Sequence, residues 1–293
     1  MQKVILSNIH NDTRGYNQLI KLYEEHKEDI FEDIELDLTS WFDANLSAVL
    51  GAILDKIKQD GLNNIQFRNI KGDIQKILQK NNFLSFYGFD KLHDTYHTTI
   101  EYKKLKPTDT RYFNAYLEEE LLSRSEFPNM TEYVHEKISE SIQEMFINAI
   151  YHSRTEFIYT CGQFHPARHE LNFTIVDTGI GFAKRIEESL DMPNISSKDA
   201  IMWAIKDGNT SKKDVSGGLG LAILKEFITQ NKGKIQIISG NAFYELSNNI
   251  ETISILDYFF DGSVISMNFN TNDTTTYTFE NENENEIDLD DIF

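Results

Sequence analysis

One stretch limits the folds open to this chain more than any other. It is LNFTIVDTGIGF, residues 171–182, where an alternating strand runs straight into Asp177-Thr178-Gly179-Ile180-Gly181. A strand that ends this way presents backbone rather than side chains, and so lets a ligand come close. Asp177 is then an acceptor for an exocyclic amine such as that of adenine, while Gly179 and Gly181 let a nucleotide lie against the chain. An ordinary turn after a strand accounts for the same residues, because Asp and Gly dominate turns for conformational reasons.

Two further segments carry chemistry. Ser216-Gly217-Gly218-Leu219-Gly220-Leu221-Ala222-Ile223 opens an apolar helix, LAILKEFITQ, which Gly233 closes. Exposed amides of a glycine-rich turn and the positive end of a helix dipole together bind a polyphosphate. A dinucleotide fingerprint fits poorly here: no strand precedes the turn, and Ile223 stands where a third glycine belongs. GxxxxGK[ST] is absent from the chain, which excludes a P-loop. The helix TEYVHEKISESIQEMFINAIYHSR, residues 131–154, places Glu144, Asn148 and His152 on one face at i, i+4 and i+8, with Ile138, Ile142, Met145 and Ala149 on another. A carboxylate one turn before an amide suits a site where Glu deprotonates a hydroxyl or water and Asn offers a hard oxygen to magnesium. A solvated helix face is the plainer alternative.

In this order the three segments resemble the N, G1 and G2 boxes of the GHKL ATPases and kinases, the Bergerat fold of gyrase, heat-shock chaperone, histidine kinase and MutL ATP-binding domains. The resemblance implies an α/β sandwich, a mixed sheet with helices on one face, that binds ATP with Mg2+. It implies Glu144 as general base, Asn148 as magnesium ligand, His152 beside them, and Asp177 as the adenine contact. Gly179, Gly181, Gly217, Gly218, Leu219 and Gly220 would cradle the nucleotide. Residues 182–216 would be the lid, from which Lys212 or Lys213 reaches the γ-phosphate. On the late strand GSVISMNF, residues 262–269, Ser263 or Ser266 would contact adenine through water. The family often starts its third box with glycine, where this chain has Ser216.

The N-terminal half reads differently. A helix is expected over 13–27, strands over 31–38 and 63–70, and helices over 44–59 and 73–80, an alternation that argues for a small α/β domain. The run from Ile34 to Leu78 resembles the STAS fold of anti-sigma factor antagonists. Where those antagonists carry Asp-Ser-Ser-Gly with a phosphorylated serine, this chain has Asp43-Ala44-Asn45-Leu46, so the resemblance implies a docking or sensing module rather than a phosphoacceptor. Its boundary is placed near residue 105. A linker helix follows over 109–123, the ATP-binding unit covers 106–272, and the polar, acidic stretch 273–293 is expected to be disordered.

Composition narrows the partners. A formal net charge of -19 and a pI near 4.8 repel a phosphate backbone, so general nucleic-acid binding is not expected. With no apolar run near the roughly 18 residues of a membrane span, no basic leader and one cysteine, a cytoplasmic protein is expected. His135-Glu136 imitates a histidine-kinase phosphoacceptor but shares its helix with Glu144. Cys161, His165 and His169 have ligand-like spacing, yet FIYTCGQFHPARHELNFTIV reads as a hairpin turning at PARH, so a structural role is expected of them. The expectation is an ATPase or a protein serine/threonine kinase similar to the anti-sigma factor kinases, with an ATP-gated interaction switch as the alternative. Either acts on a protein partner, through the N-terminal domain or the acidic tail, and a dimer stays open.

Overall fold

The computed structural model describes residues 2–152, 155–190, 192–206 and 219–278. The chain opens with β1 (Gln2–Leu6), α1 (Thr13–His26), β2 (Asp33–Leu38), α2 (Ser47–Gly61), β3 (Asn64–Ile70) and α3 (Gly72–Lys80). The three strands form a parallel sheet in the order β1-β2-β3, each joined to the next by a crossover helix. The Asp12 carboxylate starts α1 by accepting the Gly15 N–H at 2.9 Å. The sheet's outer face is polar and is tied across the strands by Lys3 to Asp37 at 2.9 Å and Arg68 to Glu35 at 2.8 Å.

The second sheet has five strands: β4 (Thr99–Leu105), β5 (Ile158–His165), β6 (Glu170–Asp177), β7 (Lys234–Ser247) and β8 (Ile250–Asn270), in the order β4-β5-β6-β8-β7. Every pair in it is antiparallel, so the mixed sheet expected from the sequence is replaced by a purely antiparallel one. One face is covered by α4 (Thr110–Leu117), α5 (Glu132–His152) and α8 (Leu219–Gln230), where Phe113, Ile142, Phe146, Leu224 and Phe227 meet Phe173, Ile265 and Met267. The expected linker helix is therefore α4 with a π-helical turn over Glu118–Leu122, packed into this core. Two short helices, α6 (Gly181–Leu190) and α7 (Ser197–Ala204), lie between β6 and α8 along the chain.

The other face of this sheet is covered by α1 and α2. A single core joins Leu36, Ile53, Leu54 and Phe83 to Tyr102, Tyr159, Val176, Phe243 and Val264, so the N-terminal unit does not close a core of its own. The strand β4 lies before the expected boundary at 105, yet it is an edge of the C-terminal sheet. Helix α2 shows the cause. Ala48, Val49, Leu50, Ala52, Ile53, Leu54 and Ile57 are all buried, which requires apolar neighbours on nearly every side. Several polar groups in the seam are paired, although the buried Asn45 Oδ1 has no partner. Ala44 N–H donates to Gln163 Oε1 at 2.7 Å, Asn45 Nδ2 to Thr174 Oγ1 at 2.9 Å, and the Tyr159 hydroxyl to Asp55 at 2.9 Å.

The stretch expected to be disordered begins in order. Tyr277 is buried, its backbone bridges to Asn129 and Thr131, and its ring meets Phe227 edge-on at 5.0 Å. The Tyr277 hydroxyl donates to Asp273 at 2.6 Å. Replacing Tyr277 with Ala removes an aromatic at the rim of the core, and thermal denaturation is expected to show a loss of about 2 kcal/mol; an unchanged midpoint would mean the strap is superficial. Residues 279–293 of that stretch lie outside the described residues. Among the described residues, no helix is long and apolar enough to cross a membrane.

Candidate functional site

The site forms where α5, the end of β6 and the first turn of α8 converge on the side of the antiparallel sheet that α4, α5 and α8 cover. Helix α5 is fixed by its apolar face: Val134, Ile138, Ile142, Met145 and Phe146 are buried, and Phe146 stacks on Phe113 with ring centroids 4.2 Å apart. That anchoring holds Glu144 and Asn148, one turn apart, on the part-buried side of the helix. The Glu144 carboxylate accepts the backbone N–H of Gly220 at 3.0 Å. Gly220 belongs to the first turn of α8, where amides lack helical partners and the dipole favours an anion. A Cβ on Gly220 would stand 3.2 Å from both Glu144 Cβ and Ser141 Cα, so the absence of a side chain lets the two helices meet. Asn148 Oδ1 is buried and accepts no hydrogen bond. An orphaned amide oxygen of this kind costs free energy unless something else uses it.

Asp177 ends β6 and is buried. Its Oδ1 accepts Gly179 N–H at 2.9 Å, and its Oδ2 accepts the hydroxyl of Ser263, its direct partner on β8. Those bonds fix the carboxylate in place. Gly262 brings the strands together here: its φ is +122, and a Cβ would lie 2.8 Å from the carbonyl carbon of Asp177. Gly181 opens α6 at φ +70, and the next amide, of Phe182, donates to Ser239 Oγ at 2.8 Å. The chain leaving α5 joins the same place, since Thr178 N–H donates to Thr155 Oγ1 at 3.3 Å.

A residue not singled out in the sequence completes the set. Arg185, on α6, is half-buried, and its Nε, itself buried, has no hydrogen-bond partner. Burial lowers its pKa to about 10, against the pull of the Asp177 and Glu144 carboxylates, which favour its charged form. Its neighbour Lys184 is exposed, and nothing in the sequence distinguishes the two cations. Only packing does, because Ile186 is buried and sets the rotation of α6. Ser239 and Thr155 were likewise not legible, as each acts through a backbone group far away in sequence.

The other expected site residues divide. Ser263 reaches Asp177, whereas Ser266 does not: it lies on the opposite face of β8, bonded to Thr174 at 3.0 Å and to Asn11 at 3.1 Å in the seam with the N-terminal layer. The alternation of a strand forces this, for residues three apart face opposite ways. Lys212, Lys213, Ser216, Gly217 and Gly218 lie outside the described residues, and so do the side chains of His152 and Leu219. Cys161 and His165 lie on β5, and His169 ends the turn into β6 in the left-handed region. Cys161 points into the seam and donates to Ala44 O at 3.3 Å, and burial together with the Arg168 charge lowers the pKa of His165. Among the described residues, no group of His, Cys, Asp and Glu has the arrangement to hold a metal ion.

Chemically, the arrangement offers a fixed buried acceptor at Asp177, a carboxylate at the start of a helix, an unpartnered amide oxygen one turn further, and a half-buried guanidinium whose Nε has no partner. No family model matches the chain, and a search of curated proteins finds no match to it.

Proposed function

We propose that the chain binds ATP with magnesium in the manner of the GHKL proteins and uses Glu144 to hydrolyse it or to transfer its terminal phosphoryl group to a protein serine or threonine. The observation that carries this reading is the orphaned Oδ1 of Asn148, one helical turn from a carboxylate that meets the amide end of α8. A hard, neutral oxygen left unpaired inside the protein suits a magnesium ion that arrives with its nucleotide. Asp177 supplies a preset acceptor for the adenine amine, with Ser263 and Gly179 holding it in place. Magnesium would contribute neutralisation of phosphate charge, and Asn148 with Glu144 would be the residues nearest to it. Glu144 then takes the proton of the attacking water or hydroxyl.

One observation favours a second reading, an ATP-gated interaction switch with little turnover. The Glu144 carboxylate is engaged with the amide of Gly220, and it must leave that amide before it can face an attacking water or hydroxyl. In either case a partner that docks on the N-terminal layer uses a surface other than the turn Asp43–Leu46, which resembles the phosphoacceptor turn of the antagonists but is buried against the sheet.

Titration calorimetry with ATP and magnesium, with turnover measured in the same samples, tests the reading. Asp177→Asn is expected to weaken binding by about 100-fold or more, since an amide in a site built around a carboxylate mispairs its donors. Glu144→Ala is expected to bind within a few-fold of the parent and to lose about 100-fold or more in turnover. A parent protein that binds ATP without turnover would leave the switch reading standing; one that does not bind ATP sinks both.

A further inference from the structure

At the end of the parallel sheet where β2 and β3 begin, two loops carry apolar side chains that the core leaves out. Phe31 is 76% exposed, Ile30 65% and Leu62 66%. The loops are tied to each other, for Phe31 N–H donates to Gly61 O at 2.8 Å. The buried Asn63 adds three bonds: it accepts Glu32 N–H at 2.9 Å, and its Nδ2 donates to Asp29 O at 2.9 Å and to Ile57 O at 3.0 Å. Three apolar side chains therefore stand outward on a fixed frame. Phe31 has φ +57 and Leu62, which caps α2, has φ +52, a left-handed backbone that phenylalanine and leucine adopt rarely and that helix ends more often give to glycine. An exposed side chain on such a backbone contributes little to folding.

The rim of this patch is acidic. Ile30-Phe31 stands between Glu28-Asp29 and Glu32-Asp33, and residues 27–33 with 58–64 hold five carboxylates against two lysines, of which Lys27 already pairs with Glu24 at 2.8 Å. Asp33 and Asp60 are held by neutral donors, Asn64 Nδ2 and the Tyr23 hydroxyl, each at 2.9 Å, which leaves their charge uncancelled. A second copy of the chain, the acidic stretch 279–293 or an anionic lipid surface would each bring like charge to this rim. We infer that Ile30, Phe31 and Leu62 dock a segment of another protein that carries apolar residues flanked by lysine or arginine. The apolar side chains supply affinity once covered, and the carboxylates around them select a basic partner. The inference holds whether or not the chain binds ATP.

The probe is a synthetic amphipathic peptide of leucine and lysine, titrated by calorimetry into the full chain beside a counterpart with glutamate for every lysine. The lysine peptide is expected to bind, more weakly as salt rises, and the glutamate peptide is not. Phe31→Ser is expected to weaken the lysine peptide by roughly 10- to 100-fold, the effect of losing an interface anchor, whereas Ile255→Ser, at an exposed apolar residue of β8, changes it by less than about threefold. Leu62→Gly separates docking from folding: it suits the left-handed backbone, so the variant is expected to melt no lower than the parent while it binds the peptide about tenfold more weakly. Should Phe31→Ser fail to fold, Ile30→Ser carries the same comparison. Equal binding of the two peptides, no binding of the lysine peptide, or equal losses in Phe31→Ser and Ile255→Ser would each overturn the inference. Sedimentation of the parent alone tests the second copy as occupant: a dimer that Phe31→Ser dissolves would overturn the inference as well.

Discussion

A fragment that begins at residue 106 will not fold. A cut there falls where the sequence suggests a boundary, and it removes β4 from the edge of the five-stranded sheet. It also strips α1 and α2 from the face carrying Tyr159, Val176, Ile238, Phe243, Leu256, Phe260 and Val264, all now buried. Each such side chain gives up about 1.5 to 3 kcal/mol when returned to water, and together they match or exceed the roughly 5 to 15 kcal/mol that holds a typical domain. The complementary fragment, residues 1–105, loses the partner for the other side of α2. Circular dichroism and thermal melting of the fragments and the full chain check this. The full chain should melt in one transition by every probe, and a 106–278 fragment with its own cooperative melt would refute a shared core.

Gly262→Ala is expected to destabilise the protein by about 3 to 5 kcal/mol and to abolish the proposed nucleotide binding together with the fold around it. The φ of +122 belongs to a region almost closed to L side chains, which costs about 1 to 3 kcal/mol, and the new methyl strikes the backbone of Asp177 and Thr178 rather than a side chain able to turn away. The β6–β8 ladder must open at Asp177, the proposed base contact. For a chain of this size the midpoint should fall by roughly 6 °C or more. If Gly262→Ala melts with the parent and still binds ATP, then Asp177 does not depend on the close strand pairing described for it.

Much of this architecture is legible in local patterns, and what was missed shares a cause. Helices α1, α2 and α3, strands β2 and β3 and the β5–β6 hairpin announce themselves through periodicity and punctuation, to within a few residues. Strand β1 escaped because QKVIL is short and leaves Lys3 and Ile5 on an exposed face. The shared core escaped because pattern reports which residues want burial but not what covers them. Still, the first two turns of α2, apolar all round, held the clue, as a helix on one side of a small sheet would have kept a polar stripe along its length. In the site, Glu144, Asn148 and Asp177 were readable from spacing, while Arg185 and Ser239 depend on the rotation of α6 and on a contact across the sheet. Ser266 went to the wrong face for the simplest reason: between two serines on one strand, strand parity decides, and it selects Ser263.

The seam has a further use. Its two layers meet around Cys161, the chain's single thiol, which is fully buried between Ala44 and Asn81 and whose pKa burial raises far above that of a free thiol. A reagent that reacts with thiolate can reach it only when the N-terminal layer lifts away from the sheet. The molecule thus carries its own clock: the rate at which that one sulfur is labelled counts how often the two layers part, and a ligand that binds only the closed form would slow it in proportion.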